Sequence, residues 1–195
     1  LGVNAHILVM RNDFIGYRDA QKTAEAEPGV VAVQPFIFVE MLITRGKGEL
    51  SGIALKGVDP ARLSSVLDLP RHMIEGSADV LSRKSEQGDE PAVIIGRELA
   101  QKLKASVGDK VTLVLPITGG DWRTWSARAG NARTRVFRVG GIFYSGFDEY
   151  DRRLVYISIG EAQDFLGEGD IVTGIELKVA NVDHARAIAR ALEKK

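Results

Sequence analysis

"DIVTGIELKVANVDHARAIARALEKK" (170–195) closes the chain. Its first half alternates, with Ile175, Leu177 and Val179 set against Glu176 and Lys178, the period of a half-buried strand. Its second half changes period. Ala185, Ile188, Ala189 and Leu192 fall at i, i+3, i+4 and i+7, one apolar stripe of a helix, with Asn181 or Asp183 as the cap. The other end of the chain has the same order. "AHILVM" (5–10) is an apolar run of strand length, and "GYRDAQKTAEAEPG" (16–29) is rich in helix formers and stops at Pro28 and Gly29. Next comes "VVAVQPFIFVEMLIT" (30–44), β-branched and aromatic, one long strand or two, with Pro35 marking an edge or a bulge. "RGKGE" (45–49) turns the chain and "LSGIALKGV" (50–58) returns as a strand. Two strand–helix units around a hairpin suit a small split βαβ layer.

The middle of the chain reads differently. A short helix is expected after Asp59 and Pro60, with Asp59 as N-cap and Pro60 at the first helical position. "AVIIG" (92–96) reads as a buried strand, "RELAQKLKA" (97–105) as a helix and "KVTLVLP" (110–116) as the next strand. "VFRVGGIFYSG" (136–146) and "LVYISI" (154–159) are strands, "FDEYDRR" (147–153) is a charged loop, and "GEAQDFLG" (160–167) is a short helix. The fold class is therefore α+β in two lobes. Residues 1–58 and 169–195 form one lobe, and 59–168 form a mostly-β lobe inserted into it.

Composition narrows the function. The chain has 195 residues, 45% of them hydrophobic, enough for one large domain or two small ones. Its 26 basic and 26 acidic residues cancel, which speaks against a nucleic-acid surface. The absence of cysteine rules out disulfides, zinc–thiolate sites and a cysteine nucleophile. The longest apolar stretch, 30–43, is interrupted by Gln34, Pro35 and Glu40 and is too short to span a bilayer. The chain begins at Leu1 and stops at "LEKK", as an excised domain of an anchored protein would.

Catalytic and metal signatures are absent from the sequence. His6, His72 and His184 lie in unrelated segments, so no metal and no cofactor is expected. There is neither a G-x-S-x-G elbow nor a Walker A loop. "DEYD" (148–151) packs Asp148, Glu149 and Asp151 together, which would suit acid–base chemistry in a hydrolase. The plainer reading is a turn whose acids cap backbone N–H groups or pair with Arg152 and Arg153.

One segment has the composition of a contact loop. "GGDWRTWSARAGNARTR" (119–135) holds both tryptophans, Trp122 and Trp125, with Arg123, Arg128, Arg133 and Arg135 against the single acid Asp121. Tryptophan and arginine are the residues most enriched at binding hot spots, and arginine's planar fork suits carboxylates on a partner. These six side chains are the candidate partner-binding residues, on a hairpin near 116–135.

Three motifs carry a family resemblance: "IIGRELA…GDKV" (94–111), "GIF" (141–143) followed by a glycine and an acid–Tyr–Asp, and "TGIELKV" (173–179). With "GVDPARL" (57–63) they resemble the periplasmic domain of lipoprotein-releasing ABC permeases, the LolC and LolE proteins, relatives of the MacB efflux permease. The resemblance covers nearly the whole chain and implies a porter-like lobe with an inserted Sabre-like lobe. It implies a domain on the periplasmic face of the bacterial inner membrane, and no enzymatic activity of its own. The implied partners are a LolA-like lipoprotein carrier, a companion permease subunit, a LolD-like ATPase and the lipoprotein cargo. In LolC a hairpin of the inserted lobe, followed by an arginine patch, grips the carrier. The 116–135 stretch holds the corresponding place, although the Trp122–Trp125 pair departs from that pattern. A hairpin this long favours LolC or a hybrid subunit over LolE. The alternative within the same family is a MacB-like domain for efflux or envelope signalling that docks an adaptor protein.

Overall fold

The computed structural model describes residues 5–48, 50–83, 88–116, 132–167 and 169–193, without the side chains of residues 12 and 13. The ends of the chain form a three-stranded layer. β1 (Ile7–Phe14) pairs antiparallel with β9 (Val172–Val179), and β9 pairs antiparallel with the first part of β2 (Val30–Thr44). α1 (Tyr17–Glu25) and α6 (Ala185–Leu192) cover one face, and Tyr17, Ala24 and Ile188 enter the core there. Asn181 caps the turn before α6, its side chain accepting from the Asp183 N–H at 2.9 Å.

β2 then continues into a closed ring of strands. It pairs with β3 (Ser51–Val58), β3 with β8 (Leu154–Ser158), β8 with β5 (Ala92–Gly96), and β5 with β7 (Arg133–Phe143). β7 pairs with β6 (Lys110–Leu115), and β6 returns to β2 at Leu42–Thr44. These six strands form a small barrel whose interior is filled by side chains. Ile43, Ile53, Leu55, Ile95, Leu113, Phe137 and Val155 are all buried in one core. α3 (Arg97–Leu103) adds Leu99 and Leu103, and α5 (Ile159–Leu166) adds Ala162 and Phe165. The Phe165 ring meets Phe137 edge to face at 6.2 Å.

β5 and β8 are buried on both faces. Ile94, Leu154 and Tyr156 belong to a second core with α2 (Leu63–Val66), β4 (Met73–Gly76) and the 3-10 turns Leu69–His72 and Ala78–Ser82. Such strands read as continuous apolar runs, as "AVIIG" and "LVYIS" do.

Four local expectations change. The helix expected to begin at Pro60 under an Asp59 cap begins only at Leu63, and the Asp59 carboxylate accepts instead from the Ala61 N–H at 3.0 Å, in the turn before it. Pro35 lies within one continuous strand. It pairs with Ile175 on the β9 side, and the β3 ladder begins only at Phe36 opposite Val58, so its missing N–H falls where the strand changes partners. The segment expected as a charged loop is α4 (Asp148–Arg153), with acids in its first turn and arginines in its last, which complements the helix dipole. β7 begins three residues earlier than the apolar pattern, at Arg133, which brings Arg133 and Arg135 into the ladder.

Candidate functional site

β6 and β7 are antiparallel neighbours, with Leu115 opposite Arg133. Trp122, Arg123, Trp125 and Arg128 lie outside the described residues. Arg133 and Arg135 are described, and both reach back to α5. Arg133 Nη1 donates to the Phe165 carbonyl at 3.0 Å and to the Leu166 carbonyl. Those carbonyls belong to the last turn, where a helix runs out of internal donors. Gly167 follows with φ +71°, and a Cβ there would sit 2.5 Å from Arg133 Nη1, so glycine serves both the left-handed turn and the arginine. Arg135 Nη2 pairs with Glu161, and its guanidinium lies 5.5 Å from the Phe137 ring centre. The two arginines tie the start of β7 to α5.

The acidic cluster resolves into two roles. Asp151 is buried, and its carboxylate accepts from the Ser145 N–H and hydroxyl, each at 2.8 Å, and from the Gly146 N–H at 3.2 Å. It holds the turn before α4. Asp148 is exposed and pairs with Arg152 one helical turn on, at 2.9 Å. The histidines also serve locally. His6 Nδ1 accepts from the Val179 N–H at 3.1 Å, and His72 Nδ1 lies 3.2 Å from the Tyr144 carbonyl. Among the described residues no group of His, Asp and Glu is placed to hold a metal ion.

A site that the sequence pattern did not reveal lies on the open face of the β1–β9–β2 layer. It is a groove of about 580 Å³ between that face and α4. Register explains its shape. Met10, Gly174 and Phe36 stand in one row across the three strands, and Leu8, Glu176 and Gln34 in the next. Gly174 has no side chain, and the Phe36 ring packs over it. A Cβ at Gly174 would lie 3.0 Å from the Phe36 ring and 2.3 Å from the Val9 carbonyl oxygen. Leu8, Met10, Phe36 and Phe38 give the groove apolar walls. Tyr150, and Arg153 paired with Glu40 at 3.0 Å, form the rim.

The floor of the groove is charged. Lys56 Nζ donates to Glu176 Oε2 at 2.7 Å, and Gln34 Nε2 donates to Glu176 Oε1 at 2.7 Å. The side chains of Lys56 and Glu176 are 7% and 0% exposed. The Lys56 ammonium also lies 5.7 Å from the Phe36 ring centre. Both carboxylate oxygens are therefore satisfied, but Gln34 Oε1 has no partner among the described residues. Strict alternation placed Glu176 on the open side of its strand, and so it is. The α4 rim and the neighbouring strands then bury it. The available signal was a charged or amide side chain amid apolar neighbours on each of three strands: Gln34, Lys56 and Glu176. A second cavity of about 480 Å³, at the far end of the barrel, is lined by Arg45, Ser51, Lys102 and Lys104.

A three-stranded layer continuous with a small barrel is the frame of a known class of transporter domain. The solved extracellular domain of the noncanonic ABC-type transporter YknZ from Gram-positive bacteria matches 96% of this chain and 83% of its own, with a TM-score of 0.55 at 17% identity. The chain belongs to the MacB-like periplasmic core domain family, whose model matches residues 4–195. It is thus a periplasmic domain of an ABC permease of the inner membrane. The lipoprotein-releasing system transmembrane protein LolC of Xylella fastidiosa is 31% identical over 178 residues, 90% of this chain and 40% of that protein. The protein of the same name from Neisseria meningitidis serogroup B is 26% identical over 196 residues, 97% of this chain and 43% of that protein. The chain therefore spans about two-fifths of the length of these relatives.

Proposed function

We propose that this domain belongs to a permease subunit that releases lipoproteins from the inner membrane and hands them to a soluble LolA-like carrier. The observation that carries the reading is the 31% identity, along nine-tenths of the chain, to a protein of a lipoprotein-releasing system. In this reading the domain is not an enzyme. A LolD-like subunit hydrolyses ATP, a companion permease subunit completes the membrane part, and the hairpin near 116–135 docks the carrier. Physical chemistry demands such a dock. Exposing a lipid anchor to water costs ~0.8 kcal/mol for each methylene, so the anchor must pass directly from one covered site to another. Something on the permease has to hold the carrier's mouth in place meanwhile. A small contact with aromatic anchors and arginine clamps suits a transient encounter.

The test separates two groups of side chains. Trp122→Ala with Trp125→Ala, and Arg123→Glu with Arg128→Glu, change the hairpin beyond its braced root. Arg133 and Arg135 form a second group because they also hold α5. Carrier binding measured by biolayer interferometry should fall by at least about tenfold in the first group, the loss expected for a hot spot, while the melting temperature stays unchanged. Unchanged affinity in the first group would sink the docking role. The family model also leaves a MacB-like efflux or signalling domain as the second reading, and capture of a periplasmic adaptor instead of the carrier would select it.

A further inference from the structure

We propose that the free edge of β1 receives an extended segment of a partner polypeptide, which adds a strand to the layer and sets alternate side chains against Leu8 and Met10 on the β1 side of the groove. β1 ends the strand order and pairs only with β9 among the described residues. Its far edge therefore presents a row of backbone groups with no strand partner. Proteins usually protect such edges with charges, proline or a covering loop. β1 has its charges late, at Arg11 and Asp13, while its first half is apolar. Leu8 and Met10 are 55% and 59% exposed, two residues apart on the groove side.

The unpaired edge decides the class of occupant. An acyl chain would fill apolar space but satisfy no backbone group. A polypeptide strand satisfies the edge, and its side chains repeat every second residue, in step with Leu8 and Met10. Methionine adapts to differing side chains, so Met10 favours an apolar partner sequence without demanding a single one. The rim pairs one arginine with one glutamate, so the site selects apolar alternation and not a charge of one sign.

The experiment uses the 195-residue chain and a fluorescein-labelled decapeptide that alternates leucine and threonine between terminal lysines. Binding is read by polarisation, and its place by hydrogen–deuterium exchange. The expected result is saturable binding that protects amides of Ile7–Phe14. A central proline, which removes an N–H and fixes φ, should weaken binding by about tenfold or more, as should Leu8→Lys with Met10→Lys. Lys102→Glu, at the other cavity, should change nothing. The proline peptide acts on the unaltered chain, so the test survives a variant that folds poorly. Absence of saturable binding, equal binding of the proline peptide, or protection elsewhere would overturn the proposal. So would β1 protection that grows with chain concentration alone, which would mean a second copy, or displacement of the peptide by palmitate without β1 protection by palmitate, which would mean a lipid site.

Discussion

Lys56→Met should destabilise the domain more than a triple replacement that contains it. The substitution keeps the length of the side chain and removes its charge. Glu176 is fully buried and would keep only the Gln34 amide as a partner. Removing one member of a buried ion pair costs about 3–5 kcal/mol, because the remaining charge is left uncompensated. In a domain of this size each kcal/mol moves the melting temperature by roughly 2–4 °C, so the expected drop is about 6–20 °C. Adding Glu176→Leu removes the stranded charge but leaves the Gln34 N–H without its acceptor, a cost of about 1–3 kcal/mol. Adding Gln34→Leu removes that debt as well. The triple variant should return to within about 1–2 kcal/mol of the parent, since apolar groups of similar volume often replace buried ion pairs at little cost. Urea unfolding at neutral pH, with equal m-values, gives the three differences. The reasoning fails if Lys56→Met costs less than ~1 kcal/mol, or if the triple variant is no more stable than the single one.

The remaining expectations test other parts of the frame. Asp151→Ala should cost about 2–4 kcal/mol, since it strips the acceptor from three donors around Ser145 and Gly146, whereas Asp148→Asn, on an exposed pair, should stay within ~0.5 kcal/mol by thermal denaturation. Gly174→Ala should cost about 1–3 kcal/mol and raise amide exchange in β1, because its Cβ would meet the Val9 carbonyl at 2.3 Å. Hydrogen bonds from Lys110 and Arg138 hold the Glu90 carboxyl down to about 2, below its ordinary 4.5. A lowered pKa contributes stability above the unfolded value and loses it as pH falls from 4.5 towards 2, so Glu90→Gln should flatten the acid limb of the melting curve over that window. Fluorescence and far-ultraviolet circular dichroism should report one coincident unfolding transition, since β2 carries hydrogen bonds to β9, β3 and β6 alike.

Periodicity made most elements legible, because apolar spacing reflects burial and burial is what the strands and helices do here. "TGIELKV" reads as a half-buried strand and is β9; "ARAIARAL" reads as an amphipathic helix and is α6. What failed was local or long-range in a specific way. "FDEYDRR" looks like a loop because charge dominates it, yet acids first and arginines last is also how a short helix complements its own dipole. Barrel closure was invisible, because the return of β6 to Leu42–Thr44 depends on pairing across some seventy residues. The groove was equally hidden. It needs Leu8 and Met10 on β1 to face the same side as Glu176 and Phe36, and register between distant strands is written in no single stretch. Of the six candidate contact residues, composition grouped Arg133 and Arg135 with Arg123 and Arg128, but only the fold reveals that the former two also support a helix end.

That double duty ties the start of β7 to α5. Under the proposed docking role, a carrier bound at 116–135 would pull on a β7 end held in this way. β6 bonds to β2 at Leu42–Thr44, and β2 bonds β9 from Val30 to Phe36. β9 in turn carries Glu176, in the floor of the groove. The β6 end and the groove are therefore joined by one continuous strand, paired with β9 up to Phe36 and with β3 from Phe36 to Ile43. Bending that strand between them would break backbone hydrogen bonds in a buried sheet, where each unsatisfied group costs about 1–3 kcal/mol. Under the proposed docking role, a load on β6 would therefore reach the β1–β9–β2 layer through β2.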